Sequence, residues 1–203
     1  MGPYLGSYAA YCDLRWRFAG TTLLRGVEQL STKLYGRSVE VMALTEQELL
    51  DLLEQHQINY IVRQHEPIYT VAEGVALGLE GSEAAVKSLL LTDDKRTSFY
   101  LLVLPLDKQL DLKQLRVQLG SRRLTMASPA ELHQLLGLEP GSVTPLGLLA
   151  DSEHKVQTYF DATLRESTIA IPLLSNTTTL WLPCCKLVQL LEDKGHGISY
   201  LEL

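Results

Sequence analysis

Two features of this 203-residue chain combine residue types and spacing that could do chemistry: a short loop and a lysine. The loop, Gly141-Ser142-Val143-Thr144-Pro145, sets three small or β-branched residues between a glycine and a proline. Glycine lets the main chain turn or approach a ligand closely, and proline freezes φ and removes one donor. The remaining N–H groups are then left to point at an oxyanion or a carbonyl. Ser142 and Thr144 add hydroxyls. An ordinary turn from a helix into a strand would explain the same five residues. The lysine, Lys87, opens the apolar run Lys87-Ser-Leu-Leu-Leu91. A lysine at the edge of a buried strand carries a desolvation cost, so it either reaches solvent or serves a site.

Other chemistries find no support. There is no Ser-His-Asp order, no paired-carboxylate motif and no glycine-rich phosphate loop. His65-Glu-Pro-Ile-Tyr69 lacks the second histidine of a zinc-protease helix, and Pro67 would break that helix. Cys12, Cys184 and Cys185 form neither a disulfide framework nor C-x-x-C spacing, so no metal is expected. Hydrolysis of an activated ester needs none of these. A held water and backbone donors near the carbonyl oxygen suffice.

The elements that must position these residues are read from caps and periodicity. Thr45-Glu-Gln-Glu48 is a capping box opening a helix that stops near Gln57. Asn59 to Val62 reads as a short strand, His65 to Thr70 as a turn and an extended piece, and Ala72 to Ser82 as a short helix with a glycine-bounded loop. Val86 to Thr92 and Ser98 to Pro105 form a hairpin. Asp111 to Leu119 is a helix and Arg122 to Ala127 a strand. Ser128-Pro-Ala-Glu131 combines an N-cap, an N1 proline and a capping-box glutamate, and its helix delivers Gly141. Gly147 to Ala150 and Val156 to Phe160 read as strands around the turn that holds His154. Ile169 to Leu173 and Thr177 to Leu182 are extended, and Pro183 starts a last helix. Helices and strands mix without β-α-β alternation, which predicts an α+β domain on a curved, mixed and partly open barrel-like sheet with surrounding helices.

In order, K-S-L-x-L, S-P-x-E-L, G-S-V-T-P-x-G-L and P-L-x-x-N-T-x-T-L resemble the YbaK/ProX family of free-standing prolyl-tRNA editing domains, from about Leu44 to the C-terminus. The resemblance implies a trans-acting aminoacyl-tRNA deacylase, most simply for alanyl-tRNA(Pro), without a cofactor. Gly141 and its neighbours Ser142, Val143, Thr144 and Pro145 would bind the aminoacyl carbonyl or amine, and Lys87 would anchor the terminal adenosine or its phosphate. Asn176 and Thr178 would wall the pocket. Val143 and Leu148 would exclude larger side chains, and one methylene is worth only about 1 to 3 kcal/mol in such a wall. His65 would line the approach, or else sit as a surface histidine in a turn. The implied partners are the acceptor end of an aminoacyl-tRNA and, beyond it, prolyl-tRNA synthetase. Ile171-Pro172 departs from the family's usual His-Pro, and the spacing to Asn176 is one residue longer. That departure leaves open a deacylase for cysteinyl-tRNA(Pro) or another small amino acid, and a non-catalytic tRNA-end or synthetase-binding module.

Residues 1–41 lie outside the resemblance and 42–203 form the editing-like domain. The first piece carries five Arg/Lys against three Asp/Glu, and Leu23, Val27, Leu30 and Leu34 at helical spacing predict one amphipathic helix in it, the alternative being a poorly ordered extension. Packing on the domain, an oligomer seam and an over-extended reading frame all fit it, the last two foremost, because Met42 begins a segment resembling the family's usual start. A net charge of −6 argues against binding nucleic acid through a uniformly basic surface. A local patch remains: Lys108, Lys113, Arg116, Arg122 and Arg123 lie within sixteen residues. No apolar run approaches the roughly 18 residues of a membrane span, and no secretory signal is read, so a cytoplasmic protein is expected.

Overall fold

A capping box opens the first helix, α1 (Glu46–Gln55): the Thr45 hydroxyl accepts the Glu48 N–H at 3.2 Å, and the Glu48 carboxylate accepts the Thr45 N–H at 2.8 Å. The computed structural model describes residues 44–68 and 84–203. After α1 come β1 (Ile61–Gln64), β2 (Val86–Asp93), β3 (Phe99–Pro105), α2 (Leu112–Gln118), β4 (Leu124–Met126) and α3 (Pro129–Leu136). A 3-10 helix (Pro145–Ala150), β5 (Val156–Asp161) and a shorter 3-10 helix (Ala162–Leu164) follow. The chain ends with β6 (Thr168–Pro172), β7 (Thr178–Pro183), α4 (Cys184–Asp193) and β8 (Ile198–Leu201).

The fold is α+β, as expected, with its strands divided between two sheets. One is antiparallel, in the order β1-β7-β6; the other is mixed, in the order β4-β2-β3-β5-β8, with β5 parallel to both β3 and β8. Among the described residues, one parallel bridge, between Ala85 and Ala170, joins them. β2 and β3 are buried on both faces, which is why they read as continuous apolar runs. Val86, Leu90, Leu101 and Val103 face the main core with Leu49 and Leu53 of α1, Leu132 and Leu136 of α3, and Leu187 and Leu191 of α4. Leu89, Leu91, Leu102 and Leu104 face a second core closed by Leu115 of α2 and Leu124. Each such leucine contributes about 2 kcal/mol on burial.

The expected strand at Gly147 to Ala150 is instead part of the 3-10 helix, and three local causes explain it. Pro145 is pre-set for a first helical position, Gly147 N–H donates to Thr144 O at 3.1 Å, and Asp151 N–H donates to Leu148 O at 2.9 Å. The strand expected at Asn59 to Val62 begins two residues later, and the one at Arg122 to Ala127 contracts to Leu124–Met126. The helix expected within residues 1–41 and the one at Ala72 to Ser82 fall outside the described residues. Among the described residues, no helix is long and apolar enough to cross a membrane.

Candidate functional site

The Gly141 loop is built by the end of α3. Gly137 stops that helix at φ 66°, Leu138 drops into the core, and Glu139-Pro140-Gly141-Ser142 closes a turn through Ser142 N–H to Glu139 O at 3.1 Å. Proline second and glycine third, at φ 94°, is the pattern of a turn that demands a left-handed residue. A Cβ at Gly141 would meet nothing within 4 Å, so the glycine serves its φ and not a tight contact. Gly141 is exposed and Val143 half-buried, whereas Ser142, Thr144, Pro145 and Leu148 are buried beneath them. The Ser142 hydroxyl donates to the Glu139 carbonyl at 2.9 Å. Thr144 Oγ1 is buried and has no hydrogen-bond partner among the described residues. Leu148 is wholly inside the main core.

Lys87 shares strand parity with Leu89 and Leu91, so its side chain leaves β2 on the α2 side of the sheet. Its ammonium donates to the Leu106 carbonyl at 3.0 Å and also to the Lys108 carbonyl. Burial lowers its pKa, and Asp107 opposes that shift. The Lys108 ammonium in turn pairs with Asp161, whose side chain is 1% exposed. Asp161 also accepts N–H bonds from Thr163 at 3.0 Å and Leu203 at 3.3 Å. Burial pushes the Asp161 carboxyl up, but the bonds from Lys108 and Thr163 outweigh it and hold the group below its ordinary value.

His65, Asn176 and Thr178 come together because β1 pairs with β7, Gln64 opposite Thr178. The His65 N–H donates to Thr177 O at 2.9 Å, and the Ile68 N–H to Asn176 O at 3.0 Å. The His65 ring lies between Thr179 Oγ1, 2.8 Å from Nε2, and the Glu66 carbonyl, 2.8 Å from Nδ1. A carbonyl only accepts, so Nδ1 carries the proton and, in the neutral ring, Nε2 accepts from Thr179. Thr178 is buried, and its hydroxyl donates to Glu46 at 3.4 Å, while the Ser175 hydroxyl donates to the other Glu46 oxygen at 2.9 Å. Sequence reasoning did not single out Glu46, Ser175 or Thr179 for this site. A glutamate beside a helix N-cap reads as a dipole partner, with no local sign of its link to a turn 129 residues away.

The expected site residues therefore form three groups: the Gly141 loop, Lys87, and the β1–β7 end with His65. Among the described residues no hydrogen bond or ion pair connects one group to another. Two of the groups meet through the Ala85–Ala170 bridge, which lies two residues before Lys87 and one before Ile171 and so ties the strand of Lys87 to the sheet of β1, β7 and β6. Burial pushes the Cys184 thiol up to about 11, which removes it as a thiolate nucleophile near neutral pH. The arrangement offers main-chain donors, a cation and hydroxyls, which suits stabilisation and positioning more than covalent attack.

Comparison with known proteins bears on this directly. Residues 65–190 match the model of the aminoacyl-tRNA editing domain family. The prolyl-tRNA editing protein ProX of Acetoanaerobium sticklandii is 33% identical over 158 residues, covering 77% of this chain and 96% of that protein. The multifunctional Ser/Thr-tRNA deacylase ProXp-y of Escherichia coli is 34% identical over 108 residues, covering 51% of this chain and 63% of the relative. A solved structure described as a candidate trans-editing enzyme for prolyl tRNA synthetase shares the fold, with a TM-score of 0.58 at 22% identity, over 79% of this chain and 99% of that one. With the matched span holding Lys87, the Gly141 loop and the β6–β7 turn, this chain belongs to the aminoacyl-tRNA editing domain family.

Proposed function

We propose that the protein is a trans-acting aminoacyl-tRNA deacylase that hydrolyses the ester of mischarged tRNA(Pro), with alanyl-tRNA(Pro) as its foremost substrate. The observation that carries this reading is the family match across residues 65–190, a span that contains all three groups of candidate residues. Gly141, exposed and held at φ 94°, would present the main chain of its loop to the aminoacyl carbonyl. Such donors stabilise the oxyanion as water attacks, and the ribose hydroxyl beside the ester would assist that water. Lys87 would hold the terminal adenosine or its phosphate by charge, and Val143 with the β6–β7 turn would limit side-chain size.

Ile171 bears on the substrate. It is fully buried and pairs with Leu180, so the departure from His-Pro is a core position here and not an exposed acid or base. The amino acid removed is therefore a matter for a panel that includes seryl, threonyl and cysteinyl esters. A second reading, a binding module without turnover, is favoured by one observation: the Lys87 ammonium already donates to two main-chain carbonyls.

The test is deacylation of alanyl-, cysteinyl-, seryl-, threonyl- and prolyl-tRNA(Pro) by the protein and by Lys87→Ala. Selective hydrolysis of a misacylated species, lost in the variant, is the expected result. No rate above spontaneous hydrolysis for any ester would remove the enzyme reading in favour of the module.

A further inference from the structure

One cluster of charge takes no part in the site described above. Lys113 and Arg116 lie three residues apart on α2, whose inner face is fixed by the buried Leu115, so the two share a solvent edge. Gly120, at φ 58°, turns the chain after α2, and the Ser121 N–H returns to the Arg116 carbonyl at 3.0 Å. That turn sends the exposed Arg122 and Arg123 towards β4, where Leu124 pairs with Asp93 at the far end of β2 from Lys87. None of the four cations takes part in an ion pair among the described residues. Two acids at the ends of these elements, Asp111 and Asp93, are engaged elsewhere. Asp111 caps α2 through Lys113 N–H at 2.8 Å and Gln114 N–H at 3.2 Å. Asp93 accepts from Thr97 and Ser98, which lower its pKa before Arg122 adds a weaker pull from beyond ion-pair reach.

Lys87 projects to this same side of the large sheet, and the segment whose carbonyls hold it, 106–108, runs directly into the Asp111 cap of α2. From Lys87 to Asp93 the strand covers about 20 Å at roughly 3.3 Å per residue. A group of four such cations, none of them in an ion pair among the described residues, is on a protein of net charge −6 a local feature and not a general basic surface. Three of its four members are arginines, whose planar forks suit phosphate oxygens.

We propose that Lys113, Arg116, Arg122 and Arg123 form a strip that seats the sugar-phosphate backbone of the tRNA acceptor arm, leading away from the terminal nucleotide anchored at Lys87. This rests on the deacylase reading and adds the surface through which a whole tRNA, as opposed to its aminoacylated end, is recognised. Phosphate contacts of this kind release counterions, so they contribute affinity that falls steeply with salt and carries no base preference.

The experiment compares the protein with Arg116→Gln/Arg122→Gln/Arg123→Gln on two substrates, full-length alanyl-tRNA(Pro) and a 3′-alanyl-CCA trinucleotide, between 50 and 300 mM salt. The variant should lose at least about tenfold in kcat/KM on the full tRNA at low salt, and the slope of log(kcat/KM) against log salt should shallow by about 2 to 3. Its rate on the trinucleotide should be unchanged. Equal loss on both substrates would mean the changes act through the site or the fold, and no loss on either would mean the strip does not touch RNA; each overturns the proposal. If the wild-type protein hydrolyses neither substrate, the deacylase reading fails first. The strip is then judged by anisotropy of labelled uncharged tRNA(Pro), where equal binding by protein and variant rejects it.

Discussion

Gly141 and Lys108 show how differently single residues shape their surroundings. At Gly141 nothing crowds an added methyl group, yet φ is 94°, so Gly141→Ala should cost about 1 to 2 kcal/mol of backbone strain. The strain would be relieved by a shift of the loop, and deacylation should fall more than the melting temperature suggests. A variant with full activity at every ester concentration would show that the loop's shape is irrelevant to turnover. At Lys108 the logic is electrostatic. Lys108→Met leaves Asp161 buried without its cation, which should cost about 3 kcal/mol in chemical denaturation, and Lys108→Arg should recover most of it. The Gly141 turn was legible because glycine and proline act over four adjacent residues. The pairing of Lys108 with Asp161 was not, because it spans 53 residues and depends on which strand ends meet.

At the scale of elements, caps and turns were the most readable part of the chain. Thr45 and Ser128 each complete a capping box, and Asp111 caps α2, all through side-chain bonds to nearby N–H groups. Ser128→Ala should lower stability by about 1 kcal/mol while leaving the α3 packing intact. The 3-10 helix at Pro145–Ala150 was misread because a short apolar run has no period of its own, and tertiary contact decides its form. That contact runs through Gly147, where a Cβ would lie 2.6 Å from Leu138 Cδ1, 3.1 Å from Leu136 Cβ and 3.2 Å from the Leu136 carbonyl oxygen. The leucine tip can move but the α3 backbone cannot, so Gly147→Ala should destabilise by about 1 to 3 kcal/mol. Wild-type stability in that variant would mean that α3 and the 3-10 helix separate more easily than their packing implies.

For the molecule as a whole, the α+β class was legible from the mixed order of helices and strands, whereas the division into two sheets was not. Strand partners such as β5 and β8 are chosen by long-range packing that no local pattern encodes. A global measure of this packing is the histidine pair that closes the gap between the turn after the 3-10 helix and the end of α4. His154 Nδ1 and His196 Nδ1 are 3.3 Å apart with ring centroids 4.5 Å apart, and His196 is buried. Burial first, and His154 second, lower the His196 pKa from 6.5, against smaller upward pulls from Asp151 and the Leu148 carbonyl. The folded state thus binds its proton later than the unfolded chain does as pH falls. Stability from this group is complete above 6.5 and declines as pH drops through that value towards the folded pKa. The melting temperature should fall between pH 7.5 and 5.5, and His196→Gln should flatten that decline; an identical pH profile in the variant would assign the effect to other groups.

The bridge between Ala85 and Ala170 has a mechanical meaning. Strands within each sheet are joined by ladders of several rungs, and sliding such a ladder breaks them together; the described strands of the two sheets share one rung. Among the described residues the two sheets also meet through apolar contact in the main core, which is non-directional and carries no register of its own. With one rung between them, the plate of β1, β7 and β6 has less hydrogen bonding to resist rocking against the plate of β2 and β3 than either plate has to resist bending within itself. If Lys87 anchors the tRNA end and the β6–β7 turn walls the side-chain pocket, as proposed above, the distance between them is the dimension that a single rung leaves most compliant. A gauge with a compliant jaw ranks sizes by the work of opening it, so rejection of a slightly larger amino acid should be graded and not absolute.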